Sequence, residues 1–273
     1  MGKFDGVLLA SDFDDTLYDC YGRVPQANLE ALRYFTGQGG RFSVATGRAH
    51  RTFAPYAHLA PMNAPAVLSN GSALYDFAKN HMIFQTFLRG RALQDLEQLA
   101  EVFPEIGFEA YFGEEIYVYQ PNAVTEAHMA KVGTDYTLCP KISDMPVPWT
   151  KVILQQEYEY LLKVQAWMRE EFPNEYEVIF SNQYLLEVTD FGSNKGGMVK
   201  KLADYLRIAP EHIYCVGDNQ NDIPMLVLSA IPFAPANCAE EVRNWGARIL
   251  CSCGDGVIGD IVDILDGLYP RRE

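Results

Sequence analysis

The sequence lacks any long apolar run. No stretch approaches the roughly 20 residues that a membrane-spanning helix needs, and a content of 48% hydrophobic and 21% charged residues is typical of a globular protein. The N-terminus reaches Asp12 after only a few apolar residues, and it lacks the apolar core and the small-residue cleavage site of a secretory signal. We therefore expect a cytoplasmic protein with no membrane partner.

Basic residues are also scarce. The 273 residues include 22 Lys and Arg against 36 Asp and Glu, which gives a formal net charge of −14. Binding to the phosphate backbone of a nucleic acid needs clustered basic side chains, so the composition argues against a nucleic-acid partner. If the substrate is an anion, the overall field repels it and local cations must hold it.

The six cysteines show no recognisable disulfide or metal pattern. Without a secretory signal they are most simply interpreted as reduced thiols. Only Cys251 and Cys253 suggest a metal or redox pair. Their C-x-C spacing differs from the C-x-x-C of zinc or thioredoxin sites, and no His or Cys cluster lies nearby in the sequence. We favour a chance spacing over a functional pair.

Short apolar runs alternate with helical patterns in the first and last parts of the chain. The patterns predict strands at 7–10, 42–45 and 66–69 with a helix at 26–38, then, after residue 190, a helix at 195–206, a strand at 213–216, a helix around 223–229, a short strand and two further helices. This alternation is typical of a parallel sheet covered by helices on both faces. The fold class that we predict is α/β, with a Rossmann-like core.

The middle of the chain has a different pattern of apolar and polar residues. Its patterns predict a hairpin at 108–112 and 116–119, an amphipathic helix at 158–172 and a second pair of strands at 176–180 and 185–189. We therefore predict two domains. Residues 1–82 and 190–273 would form the catalytic core, and residues 83–189 would form an inserted α+β cap domain that determines substrate specificity.

The segment after the first predicted strand carries paired acids. Asp12 and Asp14 are two positions apart and Thr16 follows two further on. Because side chains alternate along an extended chain, we expect these three on one side, without Asp15. Acids at the carboxyl end of a strand can hold a metal, attack an electrophile or carry a proton.

Three other polar clusters also lie at the end of a predicted strand or at the start of a predicted helix. Thr46, Gly47 and Arg48 follow a predicted strand and can bind an anion through backbone N–H groups and a hydroxyl. Lys195 begins a helix, where the dipole disfavours a cation unless an anion is close. The segment 217–222 supplies two carboxylates, Asp218 and Asp222, with amides between them, a set suited to Mg²⁺.

Each cluster also has a purely structural interpretation. Carboxylates after strands often cap helices or form turns, Thr46 could cap a helix, and Lys195 could be a solvated charge. Arg48 could contact the substrate or pair with a neighbouring acid, and Asn70 could contact the substrate or form a turn. Together, however, the four clusters would converge on one edge of a parallel sheet, which favours a ligand site.

The ordered set of D-x-D-x-T at Asp12, a strand-terminal Thr46, Lys195 and G-D-x-x-x-D at Gly217 closely resembles the haloacid dehalogenase (HAD) superfamily. Its Cof-type phosphatase branch is resembled by the inserted domain between the second and third motifs, Ser-Asn-Gly-Ser at residues 69–72, the segment 217–222 and Ala-Asn-Cys at residues 236–238. The late D-G-V at residues 255–257 also resembles the family. The motifs span the core, whereas the cap is matched mainly by its position and length.

The resemblance implies a role for each matching residue. Asp12 would be the nucleophile and Asp14 the general acid and base. Thr46 and Lys195 would hold the phosphoryl group, and Asn221 would support the metal ligands. Gly47, Arg48 and Asn221 are further candidates for contacts with the substrate or its phosphate. The Mg²⁺ ligands would be Asp12, the backbone carbonyl of Asp14, and Asp218, with Asp222 supporting them.

The expected function is hydrolysis of a small phosphorylated metabolite, such as a sugar phosphate, by a Mg²⁺-dependent phosphatase. An acid at Asp14 favours phosphate esters over halogenated substrates, because dehalogenases of the superfamily lack it. Two alternatives stay open, a phosphomutase and a catalytically silent protein that binds phosphometabolites. Specificity is expected on cap loops near 111–115 or 181–184, and the oligomeric state is open.

Overall fold

The structure is a computed structural model that describes residues 2–270. Its helices are α1 (Gln26–Gly37), α2 (His50–Phe53), α3 (Ala92–Val102), α4 (Ala123–Val132), α5 (Tyr158–Glu171), α6 (Lys195–Leu206), α7 (Ile223–Leu226), α8 (Glu240–Trp245) and α9 (Val257–Leu268). None of the helices in this described part is both long and apolar enough to cross a bilayer.

The strands lie in three sheets. They are β1 (Leu8–Ser11), β2 (Arg41–Val44), β3 (Ala66–Leu68), β4 (Ala73–Asp76), β5 (His81–Gln85), β6 (Gly107–Phe112), β7 (Glu115–Tyr119), β8 (Thr137–Leu138), β9 (Lys151–Gln155), β10 (Tyr176–Asn182), β11 (Leu185–Asp190), β12 (Ile213–Val216), β13 (Pro232–Ala234) and β14 (Arg248–Ile249).

A parallel sheet forms the core, as the sequence predicts. Its order is β14-β13-β12-β1-β2, and each pair of neighbours is parallel. The strands are short and mostly apolar because both faces are covered. On β1, Leu9 packs on one side with α1 and α9, whereas Leu8 and Ala10 pack on the other side with α6. The sheet is thus the middle layer of a three-layer core.

Strand β3 departs from the expected arrangement. The sequence pattern placed it in the parallel sheet, but it pairs antiparallel with β4, and β4 pairs antiparallel with β5. A parallel bridge between Ala45 and Val67 links β3 to the residue that follows β2 in the core sheet. Because β5 extends to Gln85, this small sheet continues across the predicted domain boundary at 82/83, and the boundaries themselves stay a prediction.

A separate mixed sheet, antiparallel except for one edge pair, follows in the middle of the chain. Its order is β10-β11-β9-β6-β7-β8 within residues 107–190, and we call this sheet with α3, α4 and α5 the cap. Helices α3 and α5 pack on one face of it, and α4 packs on the other. The sequence patterns predict the hairpin, α5 and the last two strands, but they miss α3, α4 and the central strand β9.

Candidate active site

The carboxyl ends of three neighbouring strands meet at one edge of the parallel sheet. Strand β1 lies between β2 and β12, and the last residues of the three strands stand side by side. The polar segments that begin at Asp12, Thr46 and Gly217 follow these strands and therefore lie together. This is the edge at which open α/β sheets bind ligands.

Lys195 joins two of these segments. Its Nζ donates to Asp12 Oδ1 at 2.5 Å and to Asp222 Oδ1 at 2.6 Å, and its side chain is 1% exposed. It is the first residue of α6, which Asn194 caps by accepting a hydrogen bond from the backbone of Gly197 at 2.8 Å. A cation disfavoured by the helix dipole is thus stabilised by two carboxylates.

The buried charges shift one another's pKa. Burial opposes a charged ammonium, yet the carboxylates of Asp12 and Asp222 raise the pKa of Lys195, so it remains protonated. Burial raises the pKa of Asp12 well above its usual range, with Lys195 acting against this and the other two carboxylates adding to it. Burial and Asp222 raise the pKa of Asp218 to about 7. The cluster therefore contains more carboxylate than Lys195 can neutralise.

Three carboxylates offer oxygens to one point. One oxygen each from Asp12, Asp218 and Asp222 lies within 4.8 Å of the others, and Cys251 and Cys253 belong to no such group in the part of the chain that the structure describes. An all-oxygen donor set with uncompensated negative charge is what Mg²⁺ prefers. The residues present therefore fit the cation that the sequence analysis expects.

Asp222 organises the loop that carries Asp218. Its Oδ2 accepts the backbone N–H groups of Asp218 at 2.9 Å and Asn219 at 3.0 Å. Thr16 Oγ1 donates to Asp218 Oδ1 at 3.1 Å. Gly217 is required here, because a Cβ on it would lie 2.3 Å from the carboxyl carbon of Asp222. The loop thus presents Asp218 to the site.

The segment after β1 does not continue the strand. It folds into a turn closed by hydrogen bonds from Tyr18 N to Phe13 O at 2.8 Å and from Asp15 N to Tyr18 O at 2.9 Å. Strand alternation therefore does not explain the positions of Asp14 and Thr16, because the chain is not extended here, although Asp14 lines the cavity and Thr16 contacts Asp218. Asp15, expected to face away, lines the cavity together with Asp14.

Arg48 holds the carboxylate of Asp14 through two hydrogen bonds. Its Nε donates to Oδ2 at 2.9 Å and its Nη2 to Oδ1 at 2.7 Å. The guanidinium also lies over the ring of Tyr56 at 4.4 Å and donates to Thr52 O at 3.3 Å. Arg48 was expected to contact the substrate or to pair with a neighbouring acid, and the structure shows the pairing, with Asp14 as the acid.

Polar contacts also hold the turn after β2. Thr46 is buried, and its Oγ1 accepts a hydrogen bond from Arg48 N at 3.1 Å. Asn70 donates its backbone N–H to Thr46 O at 3.1 Å and accepts from Asn221 Nδ2 at 3.0 Å. Asn70 has a φ of 52°, so it is a left-handed turn residue that links two predicted site segments. Gly47 and Asn221 line the cavity.

A cavity of about 170 Å³ extends from these segments to the cap. Its cap side includes residues from both loops where specificity was expected, namely Tyr111, Ser181 and Asn182. It also includes cap residues that the sequence patterns did not indicate, which are His128, Lys131, Val132, Lys151, Leu185 and Glu187.

Lys151 connects the cap to the core. Its Nζ donates to Gly47 O at 2.9 Å and to Glu187 Oε2 at 3.0 Å, and it lies 4.6 Å from the centre of the Tyr111 ring. The side chains of Lys151 and Glu187 are 3% and 6% exposed. A second contact runs from Asn219 to the backbone oxygen of Ser181 at 3.1 Å.

The sequence contains a signal for these missed residues. Strand β9 reads Lys151-Val-Ile-Leu-Gln155, with polar residues at its first and last positions and Ile153 between them on the same face. Glu109 on β6 and Glu187 on β11 share this face, and both are buried. Buried polar groups need partners, so a row of them on a sheet face indicates a polar site.

One protein-family model matches most of the chain, and curated relatives match it at low identity. The profile described as haloacid dehalogenase-like hydrolase matches residues 9–257. The 5-amino-6-(5-phospho-D-ribitylamino)uracil phosphatase YwtE of Bacillus subtilis is 23% identical over 288 residues, with 96% of this chain and 99% of the relative covered. The HMP-PP phosphatase of Serratia proteamaculans is 26% identical over 249 residues, with 87% and 86% covered.

A solved structure has the same fold. The phosphatase BT1666 from Bacteroides thetaiotaomicron superposes with a TM-score of 0.82 at 20% identity, with 96% of each chain covered. The predicted fold class, a parallel core with a separate cap, is therefore confirmed.

Proposed function

The chain belongs to the haloacid dehalogenase-like hydrolases, and on that premise we propose that it is a Mg²⁺-dependent phosphatase that acts through an aspartyl-phosphate on Asp12. The match over residues 9–257 confirms the resemblance recognised in the sequence motifs. The two relatives and the structural neighbour are all named phosphatases. Because the substrates in those names differ, they support a reaction type, hydrolysis of small phosphorylated compounds, rather than one substrate.

Asp12, Asp218 and Asp222 would hold the Mg²⁺, together with the backbone carbonyl of Asp14. Bound there, the cation would neutralise phosphoryl oxygens and offset the repulsion between an anionic substrate and the carboxylates. Three carboxylates stand against the single ammonium of Lys195, and burial together with the neighbouring carboxylates raises the pKa of Asp12 and Asp218, which supports this assignment.

Asp12 is suited to be the nucleophile. Its Oδ1 accepts from Lys195, whereas no hydrogen bond reaches its Oδ2 from residues 2–270. Oδ2 would attack phosphorus, forming an acyl-phosphate bond while the bond from phosphorus to the alcohol oxygen breaks. The ammonium of Lys195, kept charged by its partners, would stabilise the negative oxygens of the transferring group.

Asp14 would move the protons. It would protonate the departing alcohol and then, as a carboxylate, take a proton from the water that attacks the phosphoryl group. The bond to Asp12 then breaks, and inorganic phosphate leaves. Positioned proton transfer of this kind contributes about 10²–10⁴-fold to rate. Arg48, which holds both oxygens of Asp14, would be its positioning residue.

The cap would exclude bulk water and contact the alcohol part of the substrate. Lys151 and Asn219 hold cap and core together around a cavity of about 170 Å³, a size that suits a small metabolite such as a sugar phosphate.

The observation that carries this proposal is the meeting of Lys195 and Asp12, 183 positions apart, at 2.5 Å beside two further carboxylates. Purified protein should hydrolyse p-nitrophenyl phosphate with Mg²⁺, and EDTA should abolish the activity. Asp12→Asn should be inactive, whereas Asp263→Asn, at an exposed position on α9, should keep wild-type turnover.

The covalent intermediate has its own test. Acid quenching during turnover should trap a phosphoprotein that hydroxylamine cleaves, as expected of an acyl phosphate, and Asp12→Asn should trap none. Undiminished turnover in Asp12→Asn would refute the nucleophile. Isomerisation of a hexose phosphate faster than release of phosphate would favour the phosphomutase instead.

A further inference from the structure

The cap side of the cavity carries polar groups that the proposed chemistry does not use. They are His128 and Lys131, which lie one helical turn apart on α4, and Ser181 on β10. Each of the three lines the same cavity as Asp12 and Asp14. The alcohol part of a phosphomonoester bound at Asp12 must lie within this cavity.

Helix α4 is fixed firmly to the cap sheet. Asn122 caps it by accepting from the backbone of Val124 at 2.9 Å, and its amide donates to Gln155 O on β9 at 2.9 Å. Thr125 donates from its hydroxyl to Gln155 Oε1 at 2.5 Å. A helix held at its start by these bonds presents its side chains to the cavity at defined positions.

His128 is oriented by a buried carboxylate. Its Nδ1 lies 3.0 Å from Oε2 of Glu109, which is fully buried. Glu109 also accepts hydrogen bonds from the hydroxyl of Tyr111 and from Gln155 Nε2, so these two groups fix its position behind the imidazole. With Nδ1 bound in this way, Nε2 is the ring nitrogen available to a ligand.

Lys131 contributes an ammonium group to the cap side of the cavity. Within residues 2–270 no acid lies within ion-pair distance of its ammonium. Two acids that line the cavity are already paired, Glu187 with Lys151 and Asp14 with Arg48. The cap side therefore offers a cation to the alcohol part of the substrate, in a protein whose net charge of −14 repels anions elsewhere.

Ser181 adds an unsatisfied hydroxyl. Its Oγ is buried and has no hydrogen-bond partner within the described residues 2–270, although its backbone oxygen accepts from Asn219. Buried polar atoms are nearly always paired, so a hydroxyl lining a cavity without a partner indicates a place for a ligand atom.

We propose that His128, Lys131 and Ser181 form a subsite that selects phosphomonoesters whose alcohol part carries a second anionic group, a carboxylate or another phosphoryl group. The inference rests on the proposed phosphatase function and names its substrate class. Lys131 supplies the charge, and His128 and Ser181 supply directed hydrogen bonds.

Matched pairs of substrates test the subsite. 3-Phosphoglycerate and glycerol 3-phosphate have the same chain length but differ in one carboxylate, and fructose 1,6-bisphosphate and fructose 6-phosphate differ in one phosphoryl group. In at least one pair, the anionic member should have a KM about two- to fivefold lower, as expected for one screened, exposed charge contact. The pair that shows the difference identifies the anionic group.

Substitutions of Lys131 test whether this residue causes the difference in KM. Lys131→Met should remove the difference in KM, and Lys131→Arg should keep it, while both variants still hydrolyse p-nitrophenyl phosphate. Lys163→Met, at an exposed lysine on α5 that does not line the cavity, should behave like wild type. Raised salt should shrink the wild-type preference, because Lys131 is exposed.

The outcomes separate the two proposals. Hydrolysis of p-nitrophenyl phosphate without a preference in either pair, or with a preference that Lys131→Met retains, overturns the subsite and leaves the phosphatase standing. No hydrolysis of any ester overturns the phosphatase and the subsite with it.

Discussion

Arg48 and Asp14 form a bidentate ion pair at 2.9 and 2.7 Å, in which both carboxylate oxygens of the proposed general acid are engaged. A lysine cannot reproduce this planar pair of donors. We expect Arg48→Lys to lower kcat at least tenfold, part of the about 10²–10⁴-fold that positioned proton transfer supplies. The loss should be larger for alkyl phosphates than for p-nitrophenyl phosphate, whose leaving group needs no proton.

A contact of Arg48 with the substrate phosphate would give a different result. In that case Arg48→Lys would raise KM for both substrate types by a similar factor and leave the ratio of their kcat values unchanged. Steady-state kinetics with both esters, together with the unchanged melting temperature expected of a folded variant, distinguish the two roles.

Asp14→Asn should separate the two chemical steps. With p-nitrophenyl phosphate, attack by Asp12 needs no general acid, whereas hydrolysis of the acyl phosphate still needs a base. We therefore expect a burst of about one p-nitrophenol per enzyme, followed by slow turnover, as for an accumulating covalent intermediate. Stopped-flow absorbance measures the burst, and its absence together with unchanged steady-state turnover would contradict the role of Asp14.

Much of the core follows from sequence patterns alone. Helix α6 and strand β12 begin and end where the pattern predicts. The local sequence marks the ends of both elements, and both pack within the regular three-layer core. The pattern fails at β3, where a short apolar run looks the same in a parallel sheet and in an antiparallel hairpin. It also fails after β1, where the hydrogen bond from Tyr18 to Phe13 closes a turn that no periodicity encodes.

The candidate site also contains features that the sequence predicts and features that it does not. The meeting of Asp12, Lys195 and Asp222 could be anticipated because parallel strands place their carboxyl ends on one edge. The pairing of Arg48 with Asp14 depends on side-chain geometry in a turn, so the sequence left it open. Lys151 was missed because β9, only five residues long, is flanked by polar residues that hide it, and His128 and Lys131 were missed because no pattern predicted α4.

Mg²⁺ should stabilise the folded protein through Asp218. Binding to the native state alone adds about 2.7 kcal/mol at a concentration one hundred times the Kd. We expect Mg²⁺ to raise the melting temperature of the wild type but not that of Asp218→Asn. Without Mg²⁺, the variant should melt at or above the wild-type temperature, because it loses one of three crowded carboxylates. An equal Mg²⁺ shift in both proteins would remove Asp218 from the ligand set.

The pair of Lys151 and Glu187 should stabilise the closed arrangement of cap and core. Lys151→Met leaves a buried carboxylate without its cation, which typically costs about 3–5 kcal/mol. Urea unfolding should show this loss, and the double variant Lys151→Met/Glu187→Leu should recover most of it. The exposed Lys163→Met serves as a control that stays within about 0.5 kcal/mol of wild type. A double variant no more stable than Lys151→Met would refute the pairing.

Gly196 should be essential for the position of Lys195. A Cβ at Gly196 would lie 2.2 Å from the carbonyl oxygen of Pro224, a backbone atom that cannot yield, so Gly196→Ala must move α6 away from α7. We expect a lower melting temperature and a loss of kcat, because Lys195 would leave its place beside Asp12. Gly267→Ala on α9 has open space and should instead stabilise by up to about 1 kcal/mol. Wild-type stability and activity in Gly196→Ala would show that this close packing does not position Lys195.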